Sequence, residues 1–333
     1  MLIKILTHQY YTDIDNIPAE MIPANDLKSL SVDSLLLAKP SIIKYYADDI
    51  LLVKDVKLGE LAMVIDLKLN RVSPLVKKGR SKYELLGLMD IVVLDGDVWM
   101  YNMSDSKMLK MEFDPESRTF DPGELYRFED DRYFRVLPHC DGGFVALSPI
   151  GANSRMMLLD GDGNMLQEFG VYPQLDCLEQ HVDNSVIQSI MTLSPDGKNL
   201  AIATLSMEHI GIYNSQLEEN ANSYGQFCKD VTYETVTRGT VSFTVQKPSY
   251  FAYENIISNA DGFWVGYLGV TPTEENFESV AIRKIIEWDW RGKIKSVYQL
   301  EQPVISFDID FESNTLYCIT KELEPQIKTI KLP

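Results

Sequence analysis

The chain has 333 residues, of which 45% are hydrophobic, so it can bury a substantial core. With 49 acidic and 31 basic residues its formal net charge is −18, and its longest basic run is Lys77-Lys78-Gly79-Arg80, which argues against nucleic-acid binding. No stretch approaches the roughly 18 apolar residues of a membrane helix, and the apolar start Met1–Leu6 is too short for a signal peptide.

The N-terminal part of the chain, up to residue 38, lacks the pattern that organises the rest. Segment 13–31 is interrupted by Pro18 and Pro23 and by two asparagines, which predicts a crossing of the protein surface. After it, one pattern recurs: an apolar run, a turn that is usually Asp-Gly, and a second apolar run. Gly, Asn and Asp accept the positive φ of tight hairpins, and such short Val-, Ile- and Tyr-rich runs favour strands. The predicted hairpins are 41–53, 88–101, 133–147, 187–204, 251–267 and 304–319.

The spacing of these turns predicts the architecture. They lie near residues 49, 95, 141, 196, 261 and 313, and a four-stranded propeller blade takes roughly 40–50 residues. Second hairpins at 61–76, 156–169 and 285–300 supply further strands. We therefore predict an all-β fold, a six-bladed β-propeller with four antiparallel strands per blade, that forms a single domain over residues 1–333.

Two segments need a special place in this architecture. The last unit ends with Gln326–Leu332 and has only three strands, and an unpaired edge invites aggregation. We expect the N-terminal segment 1–38 to donate the missing strand and close the ring, through Leu2–Leu6 or Leu35–Leu37. Ser215–Lys229 is read as an insertion in the fourth blade that could carry a short helix, either as a ligand-binding loop or as neutral drift.

The residues that could bind metals show no metal-binding spacing. The four histidines and four cysteines lie far apart, so we predict no metal site and no cofactor, and we read the cysteines as buried free thiols rather than disulfides. The segment 160–164 (Asp-Gly-Asp-Gly-Asn) resembles a calcium loop, but Glu168 follows Gly163 by five residues rather than six, which favours a plain hairpin turn. The histidines are His8, His139, His181 and His209, and the cysteines are Cys140, Cys177, Cys228 and Cys318.

Three stretches together resemble a known family. Segment 79–85 keeps Gly79, Arg80 and Glu84 of a Gly-Arg-Gly-Pro-x-Glu-Tyr/Phe motif but lacks its second Gly and its Pro, while 286–300 and 303–318 look like a penultimate hairpin and a closing blade. From about residue 40 to its end the chain resembles the TolB-like six-bladed β-propeller proteins of Bacteroides-type bacteria. The resemblance implies the fold and often export to the periplasm or cell surface, and it implies no catalytic residues. Because Met1–Leu6 does not read as a signal peptide, we expect either a cytoplasmic protein or a mature or start-shifted form of an exported one.

Two functions remain. The first is a non-enzymatic, monomeric binding propeller whose loops engage a protein, a peptide or a glycan. The alternative is a metal-dependent hydrolase or lyase with a calcium-type site in the central channel. Acids near the inner strands would build that site: Asp48, Asp90, Asp141, Asp183 and Asp308.

The aromatic residues of the fifth unit also allow two interpretations. Trp288 and Trp290 share one face of a strand and could fill the space between neighbouring blades. Alternatively, Trp290 beside the turn at Arg291 could be exposed and stack on a sugar or a peptide. Trp290 and Arg291 are therefore the candidate ligand-binding residues.

Overall fold

The computed structural model describes residues 8–32, 37–57, 59–128, 133–149, 151–173, 187–225, 232–238, 241–247, 250–273 and 280–332. Within these ranges the chain forms 27 β-strands and two short 3-10 helices, Ile14–Asn16 and Ala24–Asp26, and no α-helix. The predicted all-β class is confirmed.

Four sheets repeat one arrangement, in which each strand pairs antiparallel with the next along the chain. Three short N-terminal strands precede them: β1 (His8–Thr12), β2 (Glu20–Ile22) and β3 (Lys28–Ser29). Sheet 1 contains β4 (Pro40–Tyr45), β5 (Ile50–Lys57), β6 (Glu60–Asp66) and β7 (Arg71–Lys77). Sheet 2 contains β8 (Asp90–Leu94), β9 (Asp97–Asn102), β10 (Lys107–Asp114) and β11 (Thr119–Arg127). Sheet 3 contains β12 (Val136–Pro138), β13 (Phe144–Leu147), β14 (Met156–Leu159) and β15 (Met165–Phe169). Sheet 4 contains β16 (Ser189–Leu193), β17 (Leu200–Thr204), β18 (His209–Tyr213) and β19 (Glu219–Gly225).

The rest of the chain forms a hairpin and one long sheet. The hairpin consists of β20 (Thr232–Arg238) and β21 (Val241–Lys247), which pair with each other. Sheet 5 contains β22 (Phe251–Ser258), β23 (Gly262–Val270), β24 (Ile282–Asp289), β25 (Ile294–Asp310), β26 (Thr315–Thr320) and β27 (Ile327–Lys331). The 17-residue β25 changes partner along its length, because Tyr298 pairs with β24 whereas Phe307 pairs with β26.

The six predicted hairpin turns all connect paired strands. The turn at Asp95-Gly96 shows why the residue types matter: φ is 51° at Asp95 and 81° at Gly96. Positive φ at both central positions gives a two-residue turn whose twist matches that of the flanking strands. The Asp-Gly pairs were therefore reliable markers of the repeat.

The hydrophobic core lies between neighbouring sheets. Leu52 and Ile91 belong to a cluster between sheets 1 and 2, and further clusters fill the next interfaces along the chain. At the end, Ile319 of β26 and Ile327 of β27 pack against Ile43 and Leu51 of sheet 1. The last strands of the chain thus contact the first sheet, as the closure of a ring requires.

The N-terminal residues 8–32, called the N-terminal belt below, run along the outer edges of sheets 4 and 5. β1 pairs parallel with β19, β2 pairs parallel with β25, and β3 pairs antiparallel with β27. The strand that β27 receives is therefore Lys28–Ser29. Two other segments were expected in that place. Leu2–Leu6 lies outside the described residues, and so do residues 35 and 36 of Leu35–Leu37. The belt reaches β27 at Lys28 because Ile22 and Leu27 are buried in the hydrophobic core just before it.

The expectation of an insertion at Ser215–Lys229 is wrong for the described residues 215–225. Glu219–Gly225 is the strand β19, and residues 226–229 lie outside the described residues. Its polar sequence resembles a loop, but Asn222 bonds the buried His209 at 3.2 Å and Ser223 bonds Thr12 of β1 at 3.0 Å. Polar residues with such partners are compatible with a buried strand. The unit is lengthened instead by the β20–β21 hairpin.

The Gly79–Leu85 segment has a structural role. Gly79 N donates to Leu85 O at 3.0 Å, and Glu84 accepts the N–H of Ser81 at 3.0 Å. A side chain at position 79 would collide with the Glu84 carboxylate, which explains the glycine. The segment is thus a closed loop between sheets 1 and 2.

Candidate functional site

The first strands of the sheets surround a central channel. These strands are β4, β8, β12, β16 and β22, and the second half of β25 completes the ring of strands around the channel. At their C-terminal ends lies a cavity of about 400 Å³, called the channel mouth below. A second cavity of about 210 Å³ lies towards their N-terminal ends, and both cavities are lined by Lys44, Asp90 and Ile256.

The channel mouth is strongly acidic. The described residues that line it include six carboxylates and one amine, Lys44; the carboxylates belong to Asp48, Asp90, Asp95, Asp308, Asp310 and Glu312. Tyr45, Tyr46 and Phe311 add aromatic surface. The mouth therefore concentrates the negative charge that the composition shows for the whole chain.

Asp308 is the most buried of these acids, with 8% of its surface exposed. Its carboxylate accepts the N–H of Tyr45 at 2.8 Å and the N–H of Ile309 at 2.9 Å. Burial raises the pKa of Asp308, and the charge of Lys44 and the two N–H donors offset only part of that effect. Asp308 thus holds β4 and β25 together while it faces the mouth.

Deeper in the channel, Asp90 forms an ion pair with Arg135 at 2.8 Å. Arg135 also donates to the carbonyl oxygen of Ser189 at 3.1 Å. Burial lowers the pKa of Lys54 and raises the pKa of Glu254, and each acts on the other and on Arg135 electrostatically. Glu254 lies inside the channel wall, but its side chain is exposed to the solvent that fills the second cavity. This end of the channel carries balanced charge rather than an excess of acid.

Polar side chains link the first strands around the channel. Tyr46 donates to Gly96 O at 2.7 Å, which joins sheets 1 and 2, and Thr192 bonds Ser258 at 2.9 Å, which joins β16 and β22. Asn255 accepts the hydroxyl of Ser306 at 2.6 Å, which joins β22 and β25. Together with the contacts that Arg135 and Asp308 make, these bonds involve each strand that lines the channel, or in the case of β12 the residue just before it. The wall of the channel is therefore held by side chains as well as by packing.

The acids proposed for a calcium-type channel site do not act as one group. Asp48 pairs with Lys68 and Arg118, Asp90 pairs with Arg135, and Asp308 is held by backbone N–H groups. Asp141 lies in the β12–β13 turn, and Asp183 lies outside the described residues. In the described part of the chain, the carboxylates of the mouth each have separate partners or face solvent.

The turn at 160–164 is a hairpin turn. Asp160 accepts the N–H of Asp162 at 2.9 Å and the N–H of Asn164 at 2.8 Å. Its carboxylate thus caps the turn between β14 and β15, as Asp does in many turns.

Trp290 and Arg291 differ in their surroundings. Trp290 is 9% exposed and belongs to the cluster between sheets 4 and 5, where its ring centroid lies 5.3 Å from that of Phe263. Its Nε1 donates to Asn259 O at 3.3 Å. Arg291 is exposed in the adjacent turn. Trp290 thus fills space between neighbouring sheets, which agrees with the packing interpretation. Of the two candidate ligand-binding residues, only Arg291 is accessible to a ligand.

Sequence reasoning missed one cluster, in the turn between β12 and β13. His139, Cys140 and Asp141 place an imidazole nitrogen, a thiol and a carboxylate within 4.8 Å of one another. Burial and the neighbouring carboxylate of Asp141 raise the pKa of the Cys140 thiol. The signal was the adjacency of three different donor types; a search for pairs of histidines or cysteines cannot detect it.

Cys140 and Cys318 are free thiols, and Cys177 and Cys228 lie outside the described residues. Cys318 is buried as expected, whereas the expectation of burial is wrong for Cys140, which lies exposed in the β12–β13 turn. In the part of the chain that the structure describes, no helix is long and apolar enough to cross a bilayer.

Four-stranded antiparallel sheets, with first strands around a channel and cores between neighbours, define a β-propeller. The sequence matches the family model described as TolB-like 6-blade propeller-like over residues 21–312, and the chain belongs to this family. Among solved structures it is similar to a putative exported protein of Bacteroides fragilis, with a TM-score of 0.53 and 11% identity over 97% of this chain and 98% of that one.

A second similar structure is Raptor of Chaetomium thermophilum, with a TM-score of 0.50 and 10% identity. This match covers 92% of the present chain but 29% of Raptor, so it concerns one part of that protein. At these identities the likeness concerns the fold alone. A search of curated proteins found no match.

Proposed function

We propose that the protein is a six-bladed, non-enzymatic binding propeller whose channel mouth takes a cationic peptide segment of a partner protein. The observation that carries the proposal is the acid-lined cavity of about 400 Å³ at the C-terminal ends of the first strands. Its volume lies in the range of about 300–1,000 Å³ that is usual for ligand pockets.

The blade count rests on how β25 is paired. Sheet 5 holds β22–β24 with the first half of β25, and then the second half of β25 with β26, β27 and β3. Pro303 lies between the two halves and has no N–H to donate to a ladder. A hydrophobic cluster also separates them, with Trp264 and Ile282 on one side and Phe307 and Leu316 on the other. Sheet 5 is therefore best counted as two blades, which makes six with sheets 1–4.

The charge of the channel mouth supports a cationic ligand. In the described part of the chain, Asp95, Asp310 and Glu312 form no ion pair, so their charge is available to a ligand. Clefts lined by charge of one sign raise the local concentration of the opposite sign. Tyr45 and Tyr46 line the mouth, and ammonium and guanidinium groups are favourably placed near aromatic rings.

A binding role also agrees with the state of the partly buried Asp90 and the buried Asp308. Asp90 is neutralised by Arg135, and Asp308 is held by two N–H groups, so both already serve the wall of the channel. The charge that a ligand meets is that of the outer carboxylates.

The test is calorimetric titration with an oligolysine peptide and with an oligoglutamate peptide of equal length. We expect oligolysine to bind, oligoglutamate not to bind, and the affinity to fall as salt rises. The Asp95→Asn/Glu312→Gln double variant should weaken oligolysine binding roughly fivefold, as the loss of two exposed charge contacts predicts.

The matched control is the Glu168→Gln/Glu324→Gln double variant, which removes the same charge from exposed residues on β15 and in the β26–β27 turn, neither of which lines the mouth. It should bind oligolysine like the parent protein. Equal losses in both double variants, or equal binding of the two peptides, would show attraction to net charge alone and would contradict a site at the mouth.

A further inference from the structure

The turn between β12 and β13 brings three metal-binding atoms together. His139 Nδ1 lies 3.7 Å from a carboxylate oxygen of Asp141, and Cys140 Sγ lies 3.9 Å from the other oxygen. The N–H of Asp141 donates to Nδ1 at 3.3 Å, a bond that a cation bound at this nitrogen would replace. Nitrogen, sulfur and oxygen donors in one place are the ligand set of zinc-class cations.

The separations are close to those of a coordination shell. Bonds of 2.0–2.3 Å in a tetrahedral zinc site place neighbouring donor atoms about 3.4–3.6 Å apart. The two distances in the cluster, 3.7 and 3.9 Å, exceed this by a few tenths of an ångström. The side chain of Asp141 is 87% exposed, so it can rotate towards a cation without disturbing the core.

Hydrogen bonds and close packing hold the backbone under the cluster. His139 N donates to Gly143 O at 2.8 Å and Gly142 N donates to His139 O at 3.0 Å, which closes the turn. Cys140 Sγ lies against Gly197 in the β16–β17 turn of sheet 4, where any side chain would collide with it. The carbonyl oxygen of Asp196 in that turn is 3.3 Å from Sγ. Two hairpins of neighbouring sheets thus fix the position of the sulfur.

We propose that His139, Cys140 and Asp141 form a site for a zinc-class divalent cation on the rim of the channel mouth. The cation would replace the proton of the Cys140 thiol, which leaves to solvent, and bind the thiolate, His139 Nδ1 and the Asp141 carboxylate. Because Asp141 and Cys140 are exposed, the remaining coordination position faces solvent and takes water or an atom of a ligand. Pro138 and Pro195, which line the mouth, adjoin the two turns.

The experiment is titration of the full chain with Co²⁺, which is followed by its thiolate-to-metal absorption and then competed with Zn²⁺. It uses a Cys177→Ser/Cys228→Ser background whose fold is checked by circular dichroism, so that Cys140 and the buried Cys318 are the remaining thiols. We expect one equivalent of Co²⁺ to produce the absorption and Zn²⁺ to remove it.

Three single variants assign the ligands. Cys140→Ser should abolish the thiolate absorption. His139→Gln and Asp141→Asn should each weaken Co²⁺ binding at least tenfold, because mutation even of a residue that only hydrogen-bonds to a metal ligand typically lowers metal affinity about tenfold or more. Asp162→Asn changes an exposed acid in another turn and should bind like the parent. Absorption that survives in Cys140→Ser, or its absence at one equivalent in the parent, would overturn the proposal.

An independent readout is alkylation of Cys140 by iodoacetamide, followed by mass spectrometry of the peptide that contains it. Zn²⁺ should slow this alkylation in the parent protein and in Asp162→Asn. The same protection in His139→Gln would contradict the assignment of His139 as a ligand.

Discussion

Asn255 of β22 accepts the hydroxyl hydrogen of Ser306 of β25 at 2.6 Å, and Ser306 Oγ accepts the N–H of Ile43 of β4 at 3.2 Å. The two side chains thus join three strands that lie around the channel and are far apart in the sequence. The backbone of Asn255 has a positive φ of 63°, which Asn tolerates better than most residues. The bulge at this residue points its amide oxygen at the neighbouring strand.

Replacement of Asn255 should separate the bond from the backbone effect. Asn255→Ala removes the acceptor for Ser306 and for Phe307 N while it keeps a Cβ at positive φ, so it should lower the free energy of unfolding by about 2–4 kcal/mol. Asn255→Gly loses the same bonds but adopts this φ freely, and should be about 1 kcal/mol more stable than the Ala variant. Urea denaturation measures both. Equal stability of the two variants would show that the positive φ carries no cost.

Trp290→Ala should be strongly destabilising. The indole is buried against Phe263 between sheets 4 and 5, and truncation of a buried Trp costs about 3–5 kcal/mol. The neighbouring, exposed Arg291 is the control, and Arg291→Ala should change the unfolding free energy by less than about 0.5 kcal/mol. If thermal and urea unfolding show equal effects for both variants, the packing interpretation of Trp290 is wrong.

The N-terminal belt offers a matched pair on one strand. Ile22 of β2 is 3% exposed and belongs to the core, whereas the adjacent Met21 is 57% exposed. Ile22→Ala should therefore cost about 2–5 kcal/mol, and Met21→Ala less than about 0.5 kcal/mol. Urea midpoints compare them. A harmless Ile22→Ala would mean that β2 contributes little to the stability of sheet 5.

Asp308 should make stability depend on pH in a defined direction. Burial raises its pKa in the folded protein, so between the unfolded value of about 3.9 and that raised pKa the folded state holds a proton that the unfolded state has lost. The contribution of Asp308 is therefore greatest below the unfolded pKa and is lost as pH rises through the folded pKa. Asp308→Asn cannot titrate, so its stability relative to the parent should rise through this window.

Unfolding of the parent and of Asp308→Asn at a series of pH values gives the difference between their unfolding free energies. The variant also loses an N–H contact with Tyr45 or Ile309, but this cost does not depend on pH and therefore does not change the slope of the difference against pH. Carbon NMR of the Asp308 carboxyl measures the pKa directly. A flat difference curve, or a carboxyl that titrates below the ordinary aspartate range, would contradict the prediction.

Local signals made the hairpins predictable, and their absence explains what was not predicted. Asp95-Gly96 and the other turns adopt conformations that few residue types accept, so the chain marks them by composition. β19 was missed because Asn222 and Ser223 are polar, and their partners His209 and Thr12 lie on other strands. The change of partner within β25 has no local signal either, because a single proline such as Pro303 can mark either the end of a strand or a bend within it.

The candidate site depends on contacts that span the chain. The acidic composition showed that the chain is negatively charged, but not where the charge collects, because the mouth is lined by residues of six strands that are far apart in the sequence. The bond of Ser306 to Ile43 joins residues 263 positions apart, which no spacing rule detects. His139, Cys140 and Asp141 are adjacent and were within reach of a search that considers mixed donor types.

The N-terminal belt has a consequence for how the molecule folds. The belt leaves the ribosome before its pairing partners on β19, β25 and β27 are synthesised. Until then the belt cannot pair, and when it does, each contact closes a loop of 200 to 300 residues, as with Thr12 and Ser223 or Ser29 and Lys328. Docking of this segment should be a late and slow phase of refolding, with a rate governed by chain topology rather than by local structure.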